Sequence, residues 1–247
     1  MAMIINYVKI VDRLERLRKI LIFSAVTVLA VTVLVYWRTD LLITFLARPL
    51  GQRQLVFLSP MEGFMTKIQI AFFTALALCL PLILWQAIRL AAPLLGERQK
   101  KVFYWVIPLA TLLFTVGVVF GFTVITPVTL NFLLETGQAY MTAMLSAGRY
   151  FSFVIILSLG MGVVFQLPLI VAVLAAVGII TSRMLREKRK FALLGILLLT
   201  ALITPTPDIF TLMVASVPVF ILYELSILVV STLEKSSKKR QETLQEV

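Results

Sequence analysis

The sequence predicts an all-α membrane protein with six transmembrane helices and both termini on the cytoplasmic side. Three observations lead there. Of its 247 residues, 60% are hydrophobic and only 14% charged, whereas soluble domains average about 45–50% apolar and about 25% charged residues. Several apolar stretches exceed the roughly 18 residues that mark a membrane span. Most of the 23 lysines and arginines sit in short clusters beside those stretches, as the positive-inside rule requires of cytoplasmic segments.

Residues 1–19 read as an amphipathic helix in the membrane interface. Ile4, Val8, Val11, Leu14 and Leu17 recur at three- and four-residue steps, with Lys9, Asp12, Arg13, Arg16 and Lys19 mainly on the other side. The first span covers about 20–37. Its length and the lack of a small-x-small site exclude a cleaved signal peptide. An outer loop then runs to about Thr66, punctuated by Arg48-Pro49, Gly51, Ser59-Pro60 and Gly63. The second span, about 68–92, contains Pro81 and ends near Pro93.

The third span covers about 102–125, with Pro127 closing it. The fourth covers about 150–179 and contains Gln166 and Pro168. The fifth apolar run, 191–203, gives only about 20 Å of helix against about 30 Å of hydrocarbon. The turn Thr204-Pro205-Thr206-Pro207-Asp208 ends it. The sixth span, about 209–233, contains Pro218 and Glu224, and the basic tail 234–247 is expected to be disordered. Bases cluster before the first span, in the second-to-third and fourth-to-fifth loops, and in the tail. These four segments alternate correctly only with an even number of spans.

The same residues exclude several functions. The net charge of +11 lacks the aromatic interleaving of a nucleic-acid surface, so no nucleic acid is expected. With no histidine and one cysteine, Cys79, His-metal sites, Ser-His-Asp triads and disulfides within the chain are ruled out. No phosphate-binding loop, HExxH or CxxC occurs. No enzyme activity and no cofactor are expected.

Polar groups within apolar spans need a reason. Gln166, beside the helix-breaking Pro168, either faces a polar cavity and the freed backbone or makes an interhelical hydrogen bond. Glu224 is either a partner- or cavity-facing carboxylate or a group that pairs with a tail lysine. Glu15 and Glu97 read first as members of local surface ion pairs, Glu15 with Arg18 or Lys19. Their second reading is as acidic points that receive an arginine. The Thr204–Asp208 turn is either a helix-breaking hairpin or a place where the membrane thins and polar groups become accessible.

The order of motifs resembles the TatC family, the multispanning receptor subunit of the twin-arginine protein translocase, over about residues 10–233. The matching pieces are Leu14-x-x-Leu17-Arg18, Ala47-Arg48-Pro49-Leu50 and Leu58-Ser59-Pro60-Met61-Glu62-Gly63-Phe64. Leu80 to Gln86, Ala92-Pro93-Leu94-Leu95, Phe114-x-x-Gly117, Pro127 and Tyr150-x-x-Phe153 follow. Gly162 with Phe165-Gln166-Leu167-Pro168, the Thr204–Asp208 turn, and Pro218 with Tyr223-Glu224 complete the series.

The resemblance implies a curved, cup-like wall of six helices with a short fifth and sixth. It also implies binding of twin-arginine signal peptides of folded cargo at the cytoplasmic face. Single-span TatA and TatB partners, a homo-oligomeric receptor complex, transport driven by the proton-motive force, and a bacterial inner membrane complete what it implies; no transit peptide points to plastids.

By this likeness the signal-peptide face comprises Leu14, Glu15, Leu17, Arg18, Leu90, Glu97 and Gln99. Gln166 and Glu224 are the intramembrane polar pair, Pro49, Ser59, Pro60 and Glu62 structure the outer loop, and Thr204, Thr206 and Asp208 dock the partners. The chain departs from the family in places. The family's two signal-binding glutamates fall on Arg16 and Gln99, one and two residues after Glu15 and Glu97. Leu90 stands for a phenylalanine, Leu212 for a polar residue, and the 204–208 turn is one residue longer. The residues alone also leave open a small-solute transporter, which should show a repeat, and an assembly scaffold that reads no signal peptide.

Overall fold

Helices form wherever long apolar runs lack consecutive breakers, and Pro81, Pro108 and Pro218 lie inside them without ending them. The computed structural model describes the backbone of residues 2–51, 53–91, 97–138, 144–176, 179–204 and 208–245. Side chains are described for 15, 17–51, 53–86, 106–136, 144–175, 179–204 and 208–232.

The elements are α1 (Ala2–Tyr36), α2 (Thr39–Leu46), a 3₁₀ turn Arg48–Leu50, β1 (Leu55–Val56) and α3 (Pro60–Ala91). They continue with α4 (Glu97–Phe120), a π turn Gly121–Ile125, α5 (Thr126–Gln138), β2 (Leu145–Ser146) and α6 (Ala147–Val164). The last are α7 (Leu167–Ala176), α8 (Ser182–Glu187), α9 (Arg189–Ile203) and α10 (Ile209–Gln245). β1 and β2 pair in a two-stranded sheet.

Five stretches among the described residues are long and apolar enough to cross a bilayer: Leu17–Tyr36, Pro60–Gln86, Val106–Thr136, Ala147–Ala175 and Ile209–Thr232. The fifth expected span corresponds to α9, whose 15 residues reach only about 22 Å.

Several boundaries differ from those the sequence suggests. Residues 2–19 and the first span form one continuous helix, α1, with no glycine or proline interrupting it. The outer loop ends earlier than expected. It holds the helix α2, and α3 begins at Pro60, so Pro60 and Glu62 occupy a helical first turn. Proline suits that position, where its missing N–H would have no partner in any case.

Pro127 does not close the third span. Helix continues through the π turn into α5, where the backbone N–H and the hydroxyl of Thr126 both reach the Gly121 carbonyl, the hydroxyl at 2.8 Å. The wider turn accommodates the donor and the space that proline removes. Pro168 does break the fourth span: α6 ends at Val164, the carbonyl its ring would strike, and α7 restarts at Leu167. Helix α10 continues into the tail as far as Gln245, a segment rich in Glu, Lys, Gln and Arg, all good helix formers.

The chain divides into two units. The first comprises Met1–Arg48, Phe57–Pro108 and Ser146–Phe151. Here α1 packs along α3, and α2 also rests on α3. Ala71 and Ala75, one helical turn apart, are fully buried, while much of α1, including Leu21, Phe23 and Leu29, is exposed.

The second unit comprises Pro49–Val56, Leu109–Leu145 and Ser152–Val247. Its core gathers Leu157, Met161, Val164, Ala215, Val219 and Ile227 from α6 and α10. Helix α6 meets the α4–π segment at glycines. A Cβ on Gly117 would lie 2.7 Å from the Met161 carbonyl, and one on Gly162 would lie 2.7 Å from Val118. Small residues on both helices let the backbones approach, the usual device of membrane helix pairs.

Candidate functional site

In the first unit, Glu15 lies one turn before Lys19 on α1 and forms a 3.0 Å ion pair with it, the carboxylate 58% and the ammonium 75% exposed. Spacing of four residues makes the pair local, and exposure makes it weak. Leu17 and Arg18 are also exposed. Glu97 and Gln99 open α4, and Leu90 falls in the last turn of α3. The side chains of Leu14, Leu90, Glu97 and Gln99 lie outside the described residues.

A buried polar contact between α1 and α3 went unremarked in the sequence. The Ser24 hydroxyl of α1 donates to Gln86 Oε1 of α3 at 2.7 Å. Gln86 is buried, and its Nε2 has no acceptor. A serine in an apolar helix is common enough to draw no notice; Gln86 inside a span was the available signal.

Elsewhere in the same unit, Glu62 gathers three donors. The Leu58 N–H reaches Oε2 at 2.7 Å, the Gly148 N–H reaches Oε1 at 2.7 Å, and the Ser146 hydroxyl also donates to Oε1. Ser59 begins the turn: its carbonyl accepts from the Glu62 N–H at 3.0 Å. A Cβ on Gly148 would lie 3.1 Å from Glu62 Cγ and Oε1, so glycine there lets the backbone reach the carboxylate. Tyr150 adds a tie from its hydroxyl to the Leu46 carbonyl at 2.9 Å. The four outer residues singled out in the sequence do not form one cluster. Ser59, Pro60 and Glu62 share the start of α3, whereas Pro49 lies in the 3₁₀ turn, part of the second unit.

In the second unit, Gln166 makes the interhelical bond: its Nε2 donates to the Ala110 carbonyl at 2.9 Å, and its Oε1 is buried without a partner. Glu224 pairs with Arg189, the first residue of α9, at 2.8 Å; the side chains of the tail lysines lie outside the described residues. The neighbouring Tyr223 donates its hydroxyl to the Leu185 carbonyl of α8 at 2.9 Å. Two adjacent residues of α10 therefore hold the basic segment between α7 and α9.

The residues expected to dock partners are turned inward. Thr204 is buried and donates to the Thr200 carbonyl at 2.9 Å, and buried Asp208 accepts from the Thr211 N–H at 2.8 Å, capping α10. Thr206 lies outside the described residues. Thr200 and Ser216 share a 2.8 Å hydroxyl contact between α9 and α10. The outward surface of α9 is instead apolar, with Phe191, Leu194, Leu198 and Leu202 exposed.

Long apolar helices, a short basic-flanked α9 and isolated intramembrane polar contacts define a polytopic helical membrane protein. Comparison with known proteins makes that class specific. The sequence model of the family described as "Sec-independent protein translocase protein (TatC)" matches residues 12–218. The TatC protein of Carboxydothermus hydrogenoformans is 36% identical over 220 residues, covering 88% of this chain and 90% of that one. The TatC protein of Helicobacter pylori is 35% identical over 187 residues, covering 76% of this chain and 74% of that one.

A crystal structure titled as the twin-arginine translocase receptor TatC superposes with a TM-score of 0.74 at 30% identity. It spans 89% of this chain and 98% of the solved one. A second crystal structure of that receptor, in DDM, gives a TM-score of 0.76. The chain belongs to the TatC family of Sec-independent protein translocases.

Proposed function

We propose that the chain is the receptor subunit of a twin-arginine translocase and binds the twin-arginine signal peptides of folded precursors at its cytoplasmic face. The observation that carries this reading is the match, over 88–89% of the chain, to two solved structures named for that receptor. In this reading six helices span a bacterial cytoplasmic membrane, α9 being the short fifth, with both termini inside. Single-span TatA- and TatB-type subunits and further copies of the chain assemble around it, and the proton-motive force drives transport.

Chemistry supports the amino-terminal face as the reader. Guanidinium groups bind carboxylates through paired, charge-assisted hydrogen bonds that an ammonium cannot match. The exposed Lys19 that Glu15 now holds is a weak competitor. Glu15 and Glu97 receive the two arginines, with Leu14, Leu17, Arg18, Leu90 and Gln99 around them. Gln166 and Glu224 hold the intramembrane polar contacts of the same wall. Because Thr204 and Asp208 are occupied internally, they shape the turn with Thr206, and the exposed leucines of α9 supply the surface for a single-span partner.

The test is photocrosslinking from positions 15, 97 and 99 to a precursor with an Arg-Arg signal and to its Lys-Lys variant. Crosslinks to the first that fade with the second are expected. Absence of crosslinks to both would remove the receptor role from this face.

A further inference from the structure

At the start of α3 and α6 lies an open depression of about 430 Å³, within the size range of small-molecule sites. Its walls include Leu58, Met61 and Met65, all exposed apolar side chains. The charged residues Glu62 and Arg149 are among its lining residues as well. They do not pair with each other, and neither forms an ion pair with any described residue. Glu62 uses its oxygens on three neutral donors, which fix the carboxylate in place without cancelling its charge. Arg149 is exposed.

Opposite charges that line one cavity without meeting suit a molecule that carries both. The level of the cavity narrows the choice. Two apolar stretches long enough to cross a bilayer, Pro60–Gln86 and Ala147–Ala175, begin beside it, so it lies where hydrocarbon gives way to headgroups. A ligand there meets apolar thioether and leucine walls together with the side chains of Glu62 and Arg149.

We propose that this depression binds the headgroup of a zwitterionic phospholipid bearing a primary amine, its phosphate on Arg149, its ammonium at Glu62 and an acyl chain along Met61 and Met65. The guanidinium offers a planar set of donors suited to phosphate oxygens. Methionine, unbranched and polarisable, adapts to a chain of irregular conformation. A primary ammonium donates hydrogen bonds to the carboxylate, which a trimethylammonium cannot.

The test uses the full-length protein, delipidated in detergent. It is incubated with equal amounts of phosphatidylethanolamine, phosphatidylcholine and phosphatidylglycerol of matched chains, and bound lipid is read by native mass spectrometry. Retention of phosphatidylethanolamine over phosphatidylcholine by about tenfold is expected, the equivalent of one good charge-assisted bond. Arg149→Gln should remove that retention while Arg149→Lys keeps part of it, with unfolding temperatures of both variants unchanged.

Stepwise N-methylation of the lipid amine probes Glu62 without altering a residue that the fold uses, and each methyl should weaken binding. Equal retention of the three lipids, preference for phosphatidylglycerol, or retention that survives Arg149→Gln would overturn the proposal.

Discussion

Glu62 and Glu15 are the same side chain put to opposite uses. Glu62 accepts from Leu58 in the preceding turn and from Ser146 and Gly148, residues 84 and 86 positions away. Among the described residues Glu15 pairs with Lys19 alone, four residues on, and both groups are largely in solvent. A carboxylate whose hydrogen bonds come from distant parts of the chain holds the fold together. A carboxylate with one replaceable neighbour remains open to exchange partners. The difference lies in the company each residue keeps, which the residue type does not encode.

Four substitutions would break or sharpen that contrast. Glu62→Ala should cost the most, since it removes three charge-assisted hydrogen bonds at once. Thermal unfolding in detergent measures it, and an unchanged midpoint would make the three hydrogen bonds decorative. Gly117→Val should follow at about 1–3 kcal/mol, because the new side chain meets the Met161 carbonyl at 2.7 Å; the same assay reads it.

Tyr223→Phe should cost about 1 kcal/mol through the lost bond to the Leu185 carbonyl. Faster proteolysis at Arg183 or Arg186 would report the loosened α8. Smallest of all, Glu15→Gln should leave stability within about 0.5 kcal/mol while export of a folded twin-arginine precursor falls sharply. If Glu15→Gln unfolded the protein as Glu62→Ala does, the distinction between the two glutamates would disappear.

Much of the architecture was legible because membrane spans depend on local composition. Pro168 marked the break between α6 and α7, and the short run before Thr204 gave the short α9. Helix α2 was missed, since eight residues set among Arg48-Pro49 and Gly51 read as part of a loop. The continuation past Pro127 was missed because it depends on the five-residue π turn just upstream, Gly121–Ile125, which composition does not announce.

The site was less legible. Glu62 stood out only through the family resemblance, its partners lying far along the chain. Glu224 was read either as a partner- or cavity-facing carboxylate or as one paired with a tail lysine; its pair with Arg189 depends on the packing of α10 on α8 and α9, which the sequence does not encode. Thr204 and Asp208 were expected to face partners, yet both bond within their own turn and helix. Hydroxyl and carboxyl groups beside helix ends satisfy the nearest free backbone groups first.

The π turn at Gly121–Ile125 sets the angular phase of everything after it. One surplus residue in a helix rotates all later side chains by about 100° relative to an uninterrupted α-helix. Thr126, Thr129 and Leu130 point inward in that shifted frame. Deleting any single residue between 121 and 125 would let the rod close into ordinary α-helix and swing those hydroxyls away from their present direction. At this point the chain is therefore sensitive to length before it is sensitive to identity, and insertions or deletions there would be tolerated far less than substitutions.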